Sequence, residues 1–382
     1  MERRLKFKVY GESPRSLLLA FFLAKIKCDI YIIDPLINSK TYEDKQIFTF
    51  SNFSKYLLSK FDIWDEFEDI SYGFTSLRII DNLVSEQLLL RAENFHERYL
   101  NTFGWTTRYT DIKSLLLNKL INFDNVYFIS KNQLSDESLI FDYEFNFKSY
   151  NKILNLFNYP LSILKRIDEH ILIFDVYIRG NVERRLYEIN TTDGLLVLTP
   201  INKNLYQIIW YNSSDKIIER SLSSKSFFLD NLTAILPNEI KVDQIIGDIN
   251  FYHVNNIDSF FLINNKSIYF NENKYNSNTL CNLEFENIIK STLKICNFLE
   301  NNDAASNRIL NKLGFCSLLI KYEELLVKFS FSSFIINLLI THNVFLSILR
   351  KILFTLIKRI NLFKILIMRK LSNSNINNFN LN

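Results

Sequence analysis

The first segments of the chain differ in the spacing of their hydrophobic residues. Residues 5–10 alternate apolar and polar side chains, which predicts a strand. Residues 15–26 are mainly apolar and long enough for a helix, and Pro14 stands where a helix would begin. Residues 29–33 form a second apolar run, typical of a buried strand. The order strand, helix, strand predicts a βαβ unit in an α/β fold.

The same opening stretch has an alternative interpretation as a secretory signal, because basic residues precede an apolar run. Two observations favour the βαβ unit instead. Residues 5–10 alternate as a strand does, and no small-residue cleavage site follows Ala24.

Farther along, the hydrophobic period changes to two residues. It does so over 170–180 and 184–214, with turn residues at 192–194 and 201–204. This pattern predicts antiparallel strands joined by hairpins. Other segments are predicted as a strand pair (75–82 with 85–92), a single strand (266–273), helices (50–67, 223–236, 283–300) and a helix followed by a strand (109–129).

The C-terminal part is apolar and basic. Residues 329–349 carry no charge across 21 positions, which is long enough to span a bilayer, although their Asn, Ser, Thr and His make a span less favourable. Residues 350–371 alternate basic and apolar side chains at helical spacing, as membrane-surface helices do. Three alternatives remain open: helices packed on the body, helices at a membrane surface, and a true span. The tail 372–382 is predicted to be disordered.

Composition adds one qualification to motif searches. The chain has 7 glycines and 34 phenylalanines in 382 residues, and residues with AT-rich codons are abundant. We infer mutational drift in an AT-rich genome. A glycine missing from a motif can therefore reflect either this drift or the loss of a binding site. The net charge of +4 is too small to indicate nucleic acid as a partner.

The cysteines and histidines indicate no metal site. Cys28, Cys281, Cys296 and Cys316 lack the CxxC spacing of zinc ligands, and the four histidines are far apart in the sequence. Neither a zinc site nor a Cys/His nucleophile is therefore predicted. Buried thiols in a reducing cytoplasm are the expected alternative.

Candidate chemistry lies in the turn of the βαβ unit. Dinucleotide-binding units carry Gly-x-Gly-x-x-Gly there, and this chain has Gly11, Ser13 and Ser16 at those places, with Pro14 in the turn. Asp34 ends the second strand, where an acid would bind the ribose hydroxyls. Two interpretations fit these residues: a dinucleotide site with two glycines replaced by serine, or a βαβ unit without a ligand.

Several segments, in order along the chain, resemble the flavin-dependent aromatic-ring hydroxylases of ubiquinone biosynthesis, which have the para-hydroxybenzoate hydroxylase fold. The resemblance is closest at 184–214, where Asp193-Gly194, Pro200 and Trp210 match the family's pattern. The other matching segments are 9–34, 45–67 and 109–128.

The resemblance implies a Rossmann-like FAD-binding domain with an inserted antiparallel-sheet substrate domain and C-terminal helices. The first domain would comprise 1–155 and 246–325, with 70–105 a candidate for the substrate side. The inserted domain would be 156–245 and the C-terminal helices 326–371, and the substrate cavity would lie between the sheet around 171–212 and the flavin domain.

The resemblance also implies FAD-binding residues, and the departures from the family fall on them. Gln46 or Lys45 stands where the family often has a flavin-contacting arginine. Asn271 and Glu272 replace a Gly-Asp pair, and no Gly-Gln-Gly loop follows. Lys148-Ser149 replaces an Asp-Gly pair. The implied cofactor contacts are therefore Gly11, Ser13, Pro14, Ser16, Asp34, Gln46, Asn271 and Glu272.

Two hypotheses follow for function. The first is an FAD-dependent monooxygenase that uses NAD(P)H and O2 to hydroxylate a polyprenylated aromatic ring, a quinone precursor. The flavin would do the chemistry, so no catalytic side chain is predicted. The second is a noncatalytic relative that acts as a binding or scaffold subunit, for example in a quinone-synthesis assembly. The expected location is the cytoplasm, including the inner face of the membrane through 329–371.

Overall fold

A computed structural model describes residues 4–11, 13–33, 45–94, 101–129, 140–148, 169–179, 183–213, 216, 225–253, 261–264, 267–271, 289, 292–293, 296 and 347–372. The helices are α1 Pro14–Lys25, α2 Asn52–Ser59, α3 Trp64–Asp69, α4 Tyr109–Ile121, α5 Lys225–Ile235, α6 Ser347–Arg359 and α7 Asn361–Ser372. Predictions at Asp34, at Glu272, over 329–346, over 373–382 and for most of 283–300 lie outside the described residues.

The strands are β1 Lys6–Tyr10, β2 Asp29–Ile33, β3 Ile47–Phe50, β4 Tyr72–Phe74, β5 Ser76–Asp81, β6 Glu86–Arg91, β7 Gly104–Arg108, β8 Val126–Ile129, β9 Tyr143–Lys148, β10 Glu169–Arg179, β11 Arg185–Thr191, β12 Gly194–Pro200, β13 Leu205–Ser213, β14 Lys241–His253, β15 Phe261–Asn264 and β16 Ser267–Asn271. In the described part of the chain they form three sheets.

The first sheet has the order β15-β16-β9-β1-β2-β8. All its neighbouring strands are parallel except β15 and β16. The predicted βαβ unit is confirmed, since β1 and β2 pair in parallel and α1 connects them. Parallel pairing of this kind requires a crossover, and α1 supplies it.

Helix α1 is buried on all sides. Every side chain from Pro14 to Ala24 is buried, which fits a helix that is apolar around most of its circumference. It packs against both the first sheet and α4. Cys28, just beyond its C-terminal end, is also a buried thiol, as predicted.

The second sheet has the order β14-β10-β13-β12-β11-β5-β6 and is antiparallel except where β5 meets β11. The predicted hairpin β11–β12 is confirmed, with Gly194 at φ +100° in its turn, and so is the strand pair β5–β6. The boundary predicted between 245 and 246 falls within β14, which pairs with β10 in this sheet. The domain division itself stays a prediction.

The segment 50–67, predicted as helical, forms two helices. Between α2 and α3, Asp62 adopts φ +52°, and the Ile63 N–H donates back to the carbonyl oxygen of Leu58 at 3.3 Å. A left-handed residue of this kind ends a helix while satisfying one of its last carbonyls. The periodicity indicated apolar positions correctly but did not indicate this break.

The two C-terminal helices pack against the second sheet. Leu353, Phe354 and Ile357 of α6 join the apolar cluster that includes Leu88 and Leu90 of β6. Of the three alternatives for this region, packing on the body is therefore realised by the inner face of α6. None of the described helices is both long and apolar enough to cross a membrane.

An ion pair anchors α6 at the sheet. Arg350 Nε lies 2.8 Å from Asp81 Oδ2, and both side chains are completely buried. Asp81 Oδ1 also accepts from the Leu83 N–H at 3.0 Å. Burial raises the pKa of Asp81, and the Arg350 guanidinium opposes that rise.

Breaking this pair should destabilise the fold. We expect Arg350→Met to cost about 3–5 kcal/mol of unfolding free energy at pH 7, because it leaves an uncompensated buried carboxylate. Without the guanidinium the pKa of Asp81 rises further, so its neutral form is favoured in the folded state. The deficit relative to the wild type should therefore shrink as pH falls from 7 towards 5.

Urea unfolding followed by circular dichroism at both pH values measures this. Glu86→Gln is the matched control, because it removes a partly exposed partner of Lys358 on the same helix and should cost less than about 1 kcal/mol. A deficit for Arg350→Met as small as that of the control would contradict the anchoring role.

Candidate functional site

The carboxyl ends of β1, β2, β9 and β16 lie at one edge of the first sheet. The register pairs Tyr10 with Ile33 and with Asn146, and pairs Asn271 with Lys148. Gly11, which follows β1, and Asn271, which ends β16, therefore share this edge with one strand between them. Ligands of open α/β sheets bind at such an edge.

Gly11 occupies a position that only glycine suits. Its φ is +134°, which side-chain-bearing residues rarely adopt. A Cβ at this position would lie 3.1 Å from the Cβ of Phe147 and 3.3 Å from the Cβ of Ser16. The backbone conformation thus favours glycine and the space for a Cβ is tight, as expected for the first glycine of a dinucleotide-binding turn.

Ser13 and Ser16 bond to each other across the first turn of α1. Ser13 is the N-cap, and its Oγ accepts from the Ser16 N–H at 3.3 Å. The Ser16 hydroxyl donates to the Ser13 carbonyl oxygen at 2.8 Å. Pro14, at the first helical position, has no N–H to satisfy. The helix start is therefore closed by its own side chains.

Gln46 directly precedes β3. Its side chain is buried, and its carbonyl oxygen accepts from the Tyr109 N–H at 2.9 Å. Next to it, the carbonyl oxygen of Lys45 accepts from Gln207 Nε2 at 2.6 Å. These bonds attach the segment to α4 and to the second sheet.

The attachment belongs to a buried polar cluster on one face of the second sheet. Asp175 and Gln207 stand directly opposite each other on β10 and β13. Gln207 Nε2 donates to Asp175 Oδ1 at 3.2 Å, and Arg108 donates to Asp175 Oδ2 at 2.8 Å. Gln207 thus holds the backbone just before Gln46, and Arg108, the N-cap of α4, connects that helix to the second sheet.

Sequence reasoning did not identify this cluster, although a signal exists. Asp175 interrupts the apolar run of β10, and Gln207 interrupts that of β13. A polar residue in a buried strand is costly unless it is hydrogen-bonded, so each interruption indicates a partner. Arg15 was also missed: it lies buried in the first turn of α1, beside the dinucleotide-type motif.

The structure places some of the predicted site residues together and others apart. It brings Gly11, Ser13, Pro14 and Ser16 together in one turn, and it places Asn271 at the same sheet edge. It places Gln46 beside a different, polar cluster. Asp34 and Glu272 are each adjacent in sequence to a strand end of this edge, but they are outside the described residues.

The fold, with a mainly parallel sheet that carries the glycine turn and a mainly antiparallel sheet, is similar to that of several solved flavin-dependent monooxygenases. The p-nitrophenol 4-monooxygenase PnpA from Pseudomonas putida DLL-E4 superimposes with a TM-score of 0.65 at 12% identity, covering 98% of each chain. PqsL from Pseudomonas aeruginosa, described as a probable FAD-dependent monooxygenase, gives 0.61 at 8% identity over 82% of this chain and 92% of its own.

The flavin-dependent monooxygenase PieE, solved with FAD and substrate, gives a TM-score of 0.58 at 9% identity over 78% of this chain and 58% of its own. No protein-family model and no curated protein matches the sequence. At such identities the likeness establishes the fold. The ubiquinone-biosynthesis subfamily stays a prediction.

The geometry of Gly11 yields a stability prediction. Gly11→Ala should cost about 1–3 kcal/mol of unfolding free energy, because the new Cβ meets Phe147 and the backbone conformation is strained. Gly247→Ala is the matched control: Gly247 has φ +70°, but the nearest atom to its Cβ would be Lys45 Nζ at 3.5 Å. Thermal unfolding should show the larger loss for Gly11→Ala, and equal losses would contradict the packing argument.

Proposed function

We propose that this protein binds FAD at the Gly11 edge of the first sheet and acts as a flavin-dependent monooxygenase. The observation that carries the proposal is the Gly11 turn. Its positive φ favours a residue without a Cβ, so the Gly11 backbone carries no side chain of its own beside the N-terminus of α1. A dinucleotide pyrophosphate needs such a backbone approach next to a helix N-terminus.

The residues of the edge fit this cofactor in part. Gly11, Ser13, Pro14 and Ser16 would hold the pyrophosphate, and Asp34 would hold the ribose. Asn271 and Glu272 would lie near the ribityl chain, and Gln46 near the ring. Buried Arg15 would add positive charge at the turn, where an anionic ligand offsets the cost of a cation near a helix N-terminus. FAD, when bound, supplies the oxidation chemistry.

The finer proposal concerns the substrate. The resemblance to ring hydroxylases of ubiquinone biosynthesis favours an aromatic quinone precursor, with NAD(P)H as reductant. The part of the second sheet that carries Asp175 and Gln207 would form one wall of the substrate site, because it holds the segment next to Gln46. This chain's own contribution there would be to exclude water and orient the ring.

One observation favours the second hypothesis, a noncatalytic binding or scaffold subunit. Ser13 and Ser16 already satisfy each other within the turn, through bonds of 3.3 and 2.8 Å. The Ser16 N–H that would otherwise face a phosphate is thus directed to Ser13 Oγ. A turn closed in this way is stable without a nucleotide, which a protein that had stopped binding one would require.

A titration with FAD distinguishes the two hypotheses. We expect the purified protein to bind one equivalent of FAD, seen as a shift of the visible flavin absorption. Gly11→Ala should weaken binding roughly tenfold to a hundredfold, the equivalent of about 1.4–3 kcal/mol. Gly247→Ala is the control and should bind as the wild type does. A folded protein that takes up no FAD at saturating concentration would favour the noncatalytic subunit.

The serine turn gives a second test of the same site. Ser13→Gly with Ser16→Gly opens the turn, so FAD affinity should rise about tenfold, since one backbone donor is released to the ligand. Ser51→Gly is the matched control, because Ser51 caps α2 with the same bond to Ser54 N–H, away from the edge. Affinity that is unchanged or lower in a folded double variant would show that the serines do not obstruct the phosphate.

A further inference from the structure

Helix α6 has two apolar faces. Its inner face, formed by Leu353, Phe354 and Ile357 around Arg350, packs on the second sheet. A helix with only this contact would carry polar residues on its outer side. The outer side of α6 instead carries large apolar residues at i, i+4 and i+8.

These outer residues are strongly exposed. Ile348 is 72% exposed, Ile352 52% and Leu356 37%, and they form one stripe along α6. The stripe is extended by neighbouring residues that are also exposed, Leu349 at 51%, Ile360 at 40% and Leu362 at 65%. An exposed, contiguous apolar patch of this kind indicates an interaction site on a protein surface. We call these six residues the outer stripe.

The charges beside the outer stripe have one sign. The segment 347–372 contains seven Lys or Arg residues and no Asp or Glu. Arg350 and Lys358 are bonded to Asp81 and Glu86 of the sheet. Lys351 and Arg359 are exposed on the outer side of the helix. Apolar side chains flanked by cations suit a surface that is apolar beneath and anionic at its boundary.

We propose that the outer stripe of α6 and the start of α7 dock on an anionic lipid surface. The helix would lie in the plane of the interface, with the stripe among the acyl chains and Lys351 and Arg359 at the lipid phosphates. Charge complementarity favours this occupant over a second copy of the chain. In a symmetric pairing the same basic segments would face each other.

The Arg350–Asp81 ion pair explains how α6 can contact the second sheet and a lipid surface at the same time. Arg350 holds the inner face to Asp81, so the helix does not have to leave the sheet to expose its stripe. Membrane docking therefore needs no unfolding of the body. The proposal is independent of FAD, since every residue it uses lies outside the Gly11 edge.

Vesicle sedimentation with the full-length protein tests the proposal. Wild-type protein should bind vesicles containing phosphatidylglycerol and should bind pure phosphatidylcholine vesicles more weakly. Ile352→Glu with Leu356→Glu should reduce binding at least tenfold. Ile121→Glu is the matched control and should leave binding unchanged, because Ile121 is an equally exposed apolar helix residue, 66% exposed, at the end of α4.

The charge component is tested separately. Lys351→Gln with Arg359→Gln should reduce binding to the anionic vesicles by about 25-fold, at about fivefold per cation near the surface. The control pair Lys203→Gln with Lys241→Gln removes two exposed cations elsewhere and should have little effect. Raising the salt concentration should weaken binding of the wild type as well.

Three results would overturn the proposal. The first is no vesicle binding by the wild type at low salt. The second is equal loss in the stripe variant and in Ile121→Glu. The third is a wild-type dimer that becomes a monomer in the stripe variant, measured by sedimentation velocity without lipid, together with no vesicle binding. That last result would assign the stripe to a second copy of the chain.

Discussion

The constraint on which the first half of the structure depends is the complete burial of α1. When the residues at a helix start are buried, its first N–H groups need protein or ligand partners. In this chain Ser13 Oγ accepts from the Ser16 N–H, and the Ser16 hydroxyl donates to the Ser13 carbonyl oxygen. The two residues that depart from the glycine motif thus bond to each other at the buried helix start. Their hydroxyls, rather than drift alone, explain how the turn keeps its shape.

The position of α1 is also related to the sheet edge at which Gly11 lies. Because α1 crosses over between the adjacent strands β1 and β2, these strands run parallel, and their carboxyl ends lie at the same edge of the sheet as the N-terminus of the helix. Gly11 follows from this, since the chain has to turn in the three residues between Tyr10 and Pro14, close to Phe147 and Ser16. The glycine therefore has a structural reason in addition to any ligand, and stability and FAD binding have to be measured separately.

The main strands, α1 and the β11–β12 hairpin could be predicted from the sequence because their signals are local. These signals are alternation, an apolar run, and Asp193-Gly194 in a turn. The Asp81–Arg350 pair has none, since its members lie far apart in sequence and each resembles an ordinary surface charge until both are buried. The Asp175–Gln207 contact differs, because each residue interrupts an apolar strand, although the interruption does not indicate which residue is the partner. The break at Asp62 was missed because a left-handed residue leaves no trace in the hydrophobic period.

At the C-terminal helices, the burial seen in the structure adds to what the hydrophobic spacing of the sequence indicates. From hydrophobicity alone, packing on the body and contact with a membrane are competing explanations, because both use apolar side chains at helical spacing. In the structure the two explanations concern different residues of α6. The side with Leu353 and Ile357 is covered by the second sheet, and the side with Ile352 is exposed. A helix that needed only to pack would lose nothing with polar residues on that second side. The exposed apolar side chains on that side fit the lipid surface that we propose, and the one-signed charge beside them complements an anionic one.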